Sequence, residues 1–334
     1  MSPGPPGPAA THGSPARQTA LARLVRLAVA GGLTAFILWK SHPREVLAAA
    51  AGAEWRPLAV AALLVLVDRV LMAYRWIVLL YTLDPADRPP LADILRIFFV
   101  STFLGTFLPS VGGDAVRVYG IAKFNIRGGD AVASVFMDRM LGVASLFLMA
   151  LAGLTLARDL ARNWVIMASL GVAAVACLVT MLLVFSRRAD AVTGIILTRV
   201  PGAMRHAGQR VLASIQRYAA HHAQLAKVLV CSVAVQVLRV LQAYYLGRSL
   251  GIDATLGTYF AFVPLILLVM LLPVTISGLG TGQAAFVWFF ARVGVPAAAA
   301  FALSVLFIGL GIVGNLPGGI LYAIGPRGRS SAGS

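Results

Sequence analysis

The chain has 334 residues, 59% of them hydrophobic and 12% charged, with 28 Lys and Arg against 12 Asp and Glu. Soluble domains carry about 25% charge and the mean hydropathy here is +0.86, which excludes a water-soluble globular fold and places most of the chain in lipid. The net charge of +16 has no RNA- or DNA-reading motif beside it; it reads as positive-inside anchoring on anionic lipid, with attraction of an anionic lipid substrate as a second use.

The apolar runs are too continuous for the alternating strands of a barrel, so the expected class is all-α, a polytopic helical membrane bundle of about six to eight segments. Residues 1–20, rich in Pro, Gly and Ser, read as a disordered tail, as do 324–334, leaving 21–323 as the integral membrane domain. Within it the predicted spans are Leu21–Lys40, Leu58–Tyr81, Ala131–Ala157, Trp164–Phe185, Leu225–Gly247 and Ala297–Ala323. Two further apolar segments, about 93–120 and 257–291, are interrupted.

The longest polar connection, 186–222, holds Arg187, Arg188, Arg199, Arg205, Arg210 and Arg217 against Asp190. That bias puts it in the cytoplasm, and it contains a candidate interfacial helix broken near Pro201. Arg17, Arg23 and Arg26 vote the same way for the N-terminus, and Arg327 and Arg329 for the C-terminus. Eight full crossings would put the basic connection outside. Letting residues 93–111 enter and return on one side leaves six crossings and a re-entrant element in each half, an arrangement that would fit an inverted repeat. Lys40, Arg44 and Arg56 pull against an outside first connection, and a surface helix over 21–40 is the other way out.

The interruptions themselves are "FLPSVGGDAVRVY" (107–119) and "LLPVTISGLGTGQAAF" (271–286), with a third, "GNLPGGI", at 314–320. Pro109, Pro273 and Pro317 are the expected helix breaks. Ordinary inter-helix turns are the plainer account, but "PVTISGLG" is too apolar for exposed turn chemistry. Non-helical backbone at membrane depth is tolerated where protein or a wet cavity satisfies it. A helix starting after Gly112 and Gly113 would aim free N–H groups at an anion, with Asp114 in its first turn and Arg117 able to grip a phosphate. Ser277, Gly278, Gly280, Thr281 and Gln283 would form the matching seat. An intramembrane charge network is expected from Asp68, Arg69, Arg75, Asp138, Arg139 and Arg239, by structural pairing or in substrate passage. Arg75 beside Trp76 would also suit a membrane interface, and Arg239 with Gln236 and Gln242 could line a cavity. Cys177 and Cys231 read as packing residues, and the five histidines form no ligand-spaced cluster, so neither metal nor cofactor is expected. There is no nucleotide loop or catalytic triad, which points away from an enzyme.

"YRWIVLL" (74–80), "FLPSVGGDAVRVY", "SVFMDRMLGV" (134–143) and "LPVTISGLGTGQAA" (272–285), in this order, resemble the lysylphosphatidylglycerol synthase transmembrane, or flippase-like, family. The resemblance runs from about residue 21 to 323 and implies an integral membrane protein that moves or presents lipids. It brings Pro109, Gly112, Gly113, Asp114, Arg117, Arg75, Asp138, Arg139, Pro273, Gly278 and Gly280 into the family's motifs. Two departures stand out. Gln283 takes the place of a glutamate in the second motif, and no soluble aminoacyl-transferase domain follows the membrane region, so lysyl transfer is not implied. The expected function is translocation of a lipid or lipid-linked substrate across the cytoplasmic membrane, both termini inside. The alternative is a non-catalytic membrane partner presenting lipid to a separate synthase or glycosyltransferase.

Overall fold

The computed structural model describes residues 52–83, 89–108, 112–124, 126–156, 162–185, 202–271 and 281–325. The predicted span Leu21–Lys40, both tails, Pro109, Pro273, Ser277, Gly278, Gly280 and the basic residues Arg187, Arg188 and Arg199 lie outside the described residues.

Among the described residues the chain is all-helical, without strands. In order, α1 is Trp55–Leu83, α2 Leu91–Gly105, α3 Gly112–Ala122, α4 Gly128–Leu156 and α5 Trp164–Phe185. Then come α6, Gly202–Arg217, and α7, His222–Ser249. The last four are α8 (Leu256–Leu271), α9 (Thr281–Ala291), α10 (Ala297–Val313) and α11 (Leu316–Ile324). Five stretches are long and apolar enough to cross a membrane: α1, α4, α5, α7 and the α10–α11 pair. They coincide with the described spans expected from hydropathy, because twenty or so apolar residues leave the backbone no other way to satisfy itself in hydrocarbon.

The bundle is organised around α1 and α7, which pack side by side and antiparallel. The amide of Glu54 at the start of α1 donates to the carbonyl of Ser249 at the end of α7, at 2.8 Å. At the other end the Tyr218 hydroxyl donates to the Leu79 carbonyl at 2.9 Å. That second end carries α6 with Arg205, Arg210 and Arg217, and is called the basic end here.

Each interrupted segment folds into a short antiparallel hairpin. In the first, Gly105 faces Gly113 near the tip and Ile97 faces Gly120 near the base. Its helices have 15 and 11 residues, roughly 22 and 16 Å, against about 30 Å of hydrocarbon. Neither can cross alone. The hairpin leaves the basic end after α1 and returns there to start α4, whose Asp130 pairs with Arg217. In the second, Met270 faces Gly282 near the tip and Tyr259 meets Phe290 nearer the base. Its helices have 16 and 11 residues, and it leaves the far end after α7 and returns there to start α10. Long helix, short hairpin, long helix thus occurs twice with opposite sense, as the charge parity required.

The hairpins cross over to pack on the other half. α2 lies against α11, where Gly318 and Gly319 sit on Phe99 and Phe103 and Arg96 donates to the carbonyls of Leu321 and Gly325. α8 lies against α4, with Gly153 seated on the carbonyls of Phe260 and Ala261. Small residues let these backbones approach, which is what holds helices together where lipid is as apolar as leucine. The third interruption falls within the expected 314–320. The turn falls at Gly314–Asn315, and Pro317 occupies the first turn of α11, where its missing N–H costs nothing. Asn315 reaches the tip of the first hairpin, its amide donating to Thr106 Oγ1 at 2.9 Å.

α6 begins directly after Pro201, as expected, and docks on the start of α4. Asp130 is 3% exposed at its side chain and takes Arg217 at 3.0 Å and the Ser214 hydroxyl at 2.6 Å. Burial pushes the neighbouring Tyr218 phenol up, with Asp130 adding to it. Asp130→Ala is expected to release α6 without unfolding the spans. The check is a cysteine placed at Ala213, exposed on α6, whose labelling by a water-soluble maleimide should change in rate while melting of the bundle stays within a few degrees.

Candidate functional site: two arginine–aspartate clusters inside the bundle

The membrane charges expected from the sequence are all partnered, and each has a partner on another helix. The first cluster gathers α1, α2, α3, α4 and α7. Arg75 Nε donates to Asp138 Oδ1 at 2.7 Å, its second nitrogen to Ser232 Oγ at 3.0 Å and its third to the Asp138 carbonyl at 3.2 Å. Arg117 approaches the other oxygen of Asp138 at 3.5 Å and donates to Ser101 Oγ at 3.3 Å. Its guanidinium also lies over the rings of Trp76 and Phe98, 4.9 and 4.8 Å from their centroids. Cation–π attraction of this kind is worth about 2 kcal/mol when water is excluded. The side chains of Arg75, Arg117 and Asp138 are 5, 5 and 4% exposed, so Arg75 faces the bundle interior.

One residue on, Arg139 turns the opposite way and clasps Asp114 through two nitrogens, at 2.9 and 3.0 Å. Such bidentate pairing fixes direction as well as distance. Asp114 stands in the first turn of α3 as expected, and Arg117 on the same helix turns inward to Asp138. Together these residues set three guanidiniums against two carboxylates.

The second cluster lies at the middle of α1. Asp68 accepts from Arg69 at 3.0 Å and from Arg239 on α7 at 3.2 Å, and Arg69 also donates to the Gly311 carbonyl of α10 at 3.1 Å. Both guanidiniums touch Met72 Sδ, at 3.5 and 3.4 Å. Again the cations outnumber the carboxylate. Asp68 and Arg75 are seven residues apart on α1, as are Ser232 and Arg239 on α7, so the clusters are stacked about 10 Å apart along one seam.

Gly112, Gly113, Asp114 and Arg117 therefore sit on the first hairpin, Thr281 and Gln283 on the second. α3 packs on α2 and α4, and α9 on α8 and α10, so the described parts of the two expected seats occupy separate hairpins. The hairpins also differ in chemistry. Gly113-Asp114-Ala115 and Gly282-Gln283-Ala284 occupy the same place in α3 and α9, but where the first hairpin carries ion pairs the second carries Phe262, Phe286, Phe289 and Phe290 packed ring on ring. Sequence reasoning missed Ser101, Ser232, Phe98 and Met72, because a serine or methionine in an apolar helix carries no signal until its neighbour is known. Gln236, expected beside Arg239, is buried and bonds Ser145 Oγ at 3.3 Å.

Comparison with known proteins agrees with this architecture. The family model described as the lysylphosphatidylglycerol synthase TM region matches residues 23–318. No curated protein matches the chain, and no solved structure does. The match takes in every described helix through the first turn of α11, both hairpins and both charge clusters; the chain is a multi-pass membrane protein of the lysylphosphatidylglycerol synthase TM family.

Proposed function

We propose that this protein moves a lipid or lipid-linked substrate with an anionic head group between the leaflets of the cytoplasmic membrane, its basic end facing the cytoplasm. The observation that carries the reading is the surplus of guanidinium over carboxylate in both clusters, within apolar helices where charge is costly. A bundle that needed only internal pairing would match its charges one to one. An anionic head entering the seam would be compensated without being left bare in hydrocarbon. Hairpins entering from opposite ends would supply the two alternating openings that midplane sites in transporters use.

Arg117 is the discriminating residue. Without it Asp138 keeps its 2.7 Å partner Arg75, so Arg117→Gln is expected to fold and to span the membrane. Its expected effect is a loss of roughly tenfold in the rate at which purified protein carries an anionic fluorescent lipid across a vesicle bilayer, one charge-assisted contact being worth about that much. A rate equal to that of the wild type would remove Arg117 from the path. Movement seen only with a co-purifying synthase or glycosyltransferase would favour the alternative, in which the chain presents lipid to another enzyme.

A further inference from the structure

The two clusters are not equivalent. In the first, Arg75 and Arg117 are 95% enclosed and hold good acceptors: a carboxylate, two hydroxyls, a carbonyl and two aromatic faces. In the second, the side chains of Arg239 and Arg69 are 27 and 14% exposed, and the acceptors are poorer. One N–H group of each guanidinium faces the Met72 thioether, a weak acceptor, and the buried Nε of Arg69 has no hydrogen-bond partner. Asp68, 4% exposed, satisfies one cation and leaves the other in surplus at the midpoint of α1.

From this we infer that Arg69 and Arg239 form a binding seat for one phosphate-type monoanion, such as the phosphodiester of a lipid head, with Asp68 holding the two guanidiniums apart at the right spacing. The inference rests on the translocation reading and adds to it a location distinct from the glycine-rich motifs. Two guanidinium forks on one phosphate are the arrangement arginine favours over lysine. The ligand would take over the N–H groups now facing sulfur, and its single charge would bring the cluster to neutrality. A zwitterionic head would add a cation to a site that already has one too many. The Arg75–Asp138–Arg117 cluster, lying about 10 Å toward the basic end, would be a second station on the same seam.

The test is lipid retention by the full chain in nanodiscs containing equal phosphatidylglycerol and phosphatidylcholine, read by native mass spectrometry, with inorganic phosphate added in a parallel arm. The wild type is expected to retain phosphatidylglycerol about tenfold over phosphatidylcholine. Arg239→Gln is expected to bring that ratio to about one, and Arg239→Lys to restore part of it. Arg292→Gln on the far-end face is expected to leave it unchanged. Displacement of lipid by millimolar phosphate would support the seat with a soluble anion as its ligand, and resistance to displacement would support a lipid head. A wild-type ratio near one, or an unchanged ratio in Arg239→Gln together with Arg69→Gln, would overturn the seat. Transbilayer movement is measured on the same preparations, so loss of the seat with movement intact is distinguishable from failure of the translocation reading, in which the wild type moves no lipid.

Discussion

Asp138→Asn is expected to destabilise the protein by about 3–5 kcal/mol, the range for stripping one partner from a buried ion pair. Asp138 serves Arg75 at 2.7 Å and Arg117 at 3.5 Å, so its neutralisation leaves two guanidiniums facing each other in an enclosed, lipid-surrounded site. The measurement is thermal melting in detergent, followed by tryptophan fluorescence, since Trp76 lies in the cluster. The double variant Arg117→Met with Asp138→Asn is expected to recover part of the loss, because one bare cation remains in place of two. Equal melting of Asp138→Asn and wild type would mean that the buried charges do not hold α1, α3 and α4 together.

The second large effect is expected at Gly318. A side chain there would overlap the carbonyl oxygen and carbon of Phe99 and come within 2.8 Å of Phe103 Cβ. Most of that obstacle is backbone and cannot turn aside. Gly318→Ala should therefore push α11 off α2 and cost at least the 1–3 kcal/mol of ordinary overpacking. Gly309→Ala is the control, since a Cβ there meets nothing within 4 Å and alanine suits a helix interior better than glycine. The expected result is a marked drop in melting temperature for the first and no drop for the second. Because α11 seats the hairpin that carries Asp114 and Arg117, Gly318→Ala should also slow any lipid movement. Equal melting of the two variants would show that the α2–α11 contact is dispensable.

The spans and the two hairpins were legible in the sequence for a physical reason. Length in hydrocarbon is set by a fixed thickness, and the two interrupted segments yield only helices of 15, 11, 16 and 11 residues. The charge parity between the arginines at 17–26 and the basic connection at 187–217 pointed to a segment that returns to its own side, with a surface helix over 21–40 as the other solution. Partner choice was not legible. The six membrane charges read as one network with no pairs assigned; Arg75 goes to Asp138, Arg139 to Asp114 and Asp68 to both Arg69 and Arg239. Which residue faces which across two helices depends on rotation and tilt, and those are set by contacts such as Gly113 against Gly105, where an added Cβ would come within 2.7 Å of backbone. Nor did the sequence separate the hairpins by chemistry. Gln283 in the place of the second motif's glutamate was visible as a local departure, but the aromatic packing around Phe286 and Phe290 emerges only when α8, α9 and α10 are brought together.

In the proposed mechanism a surplus of guanidinium in the seam between α1 and α7 selects and carries an anionic head. This is tested most directly by transbilayer movement in vesicles holding only the purified chain, comparing fluorescent phosphatidylglycerol with phosphatidylcholine of the same acyl chains. The protein is expected to accelerate the anionic lipid well above protein-free vesicles and about tenfold more than the zwitterionic one, with the preference lost in Arg117→Gln and Arg239→Gln. Equal acceleration of both lipids, or none of either, would contradict the mechanism.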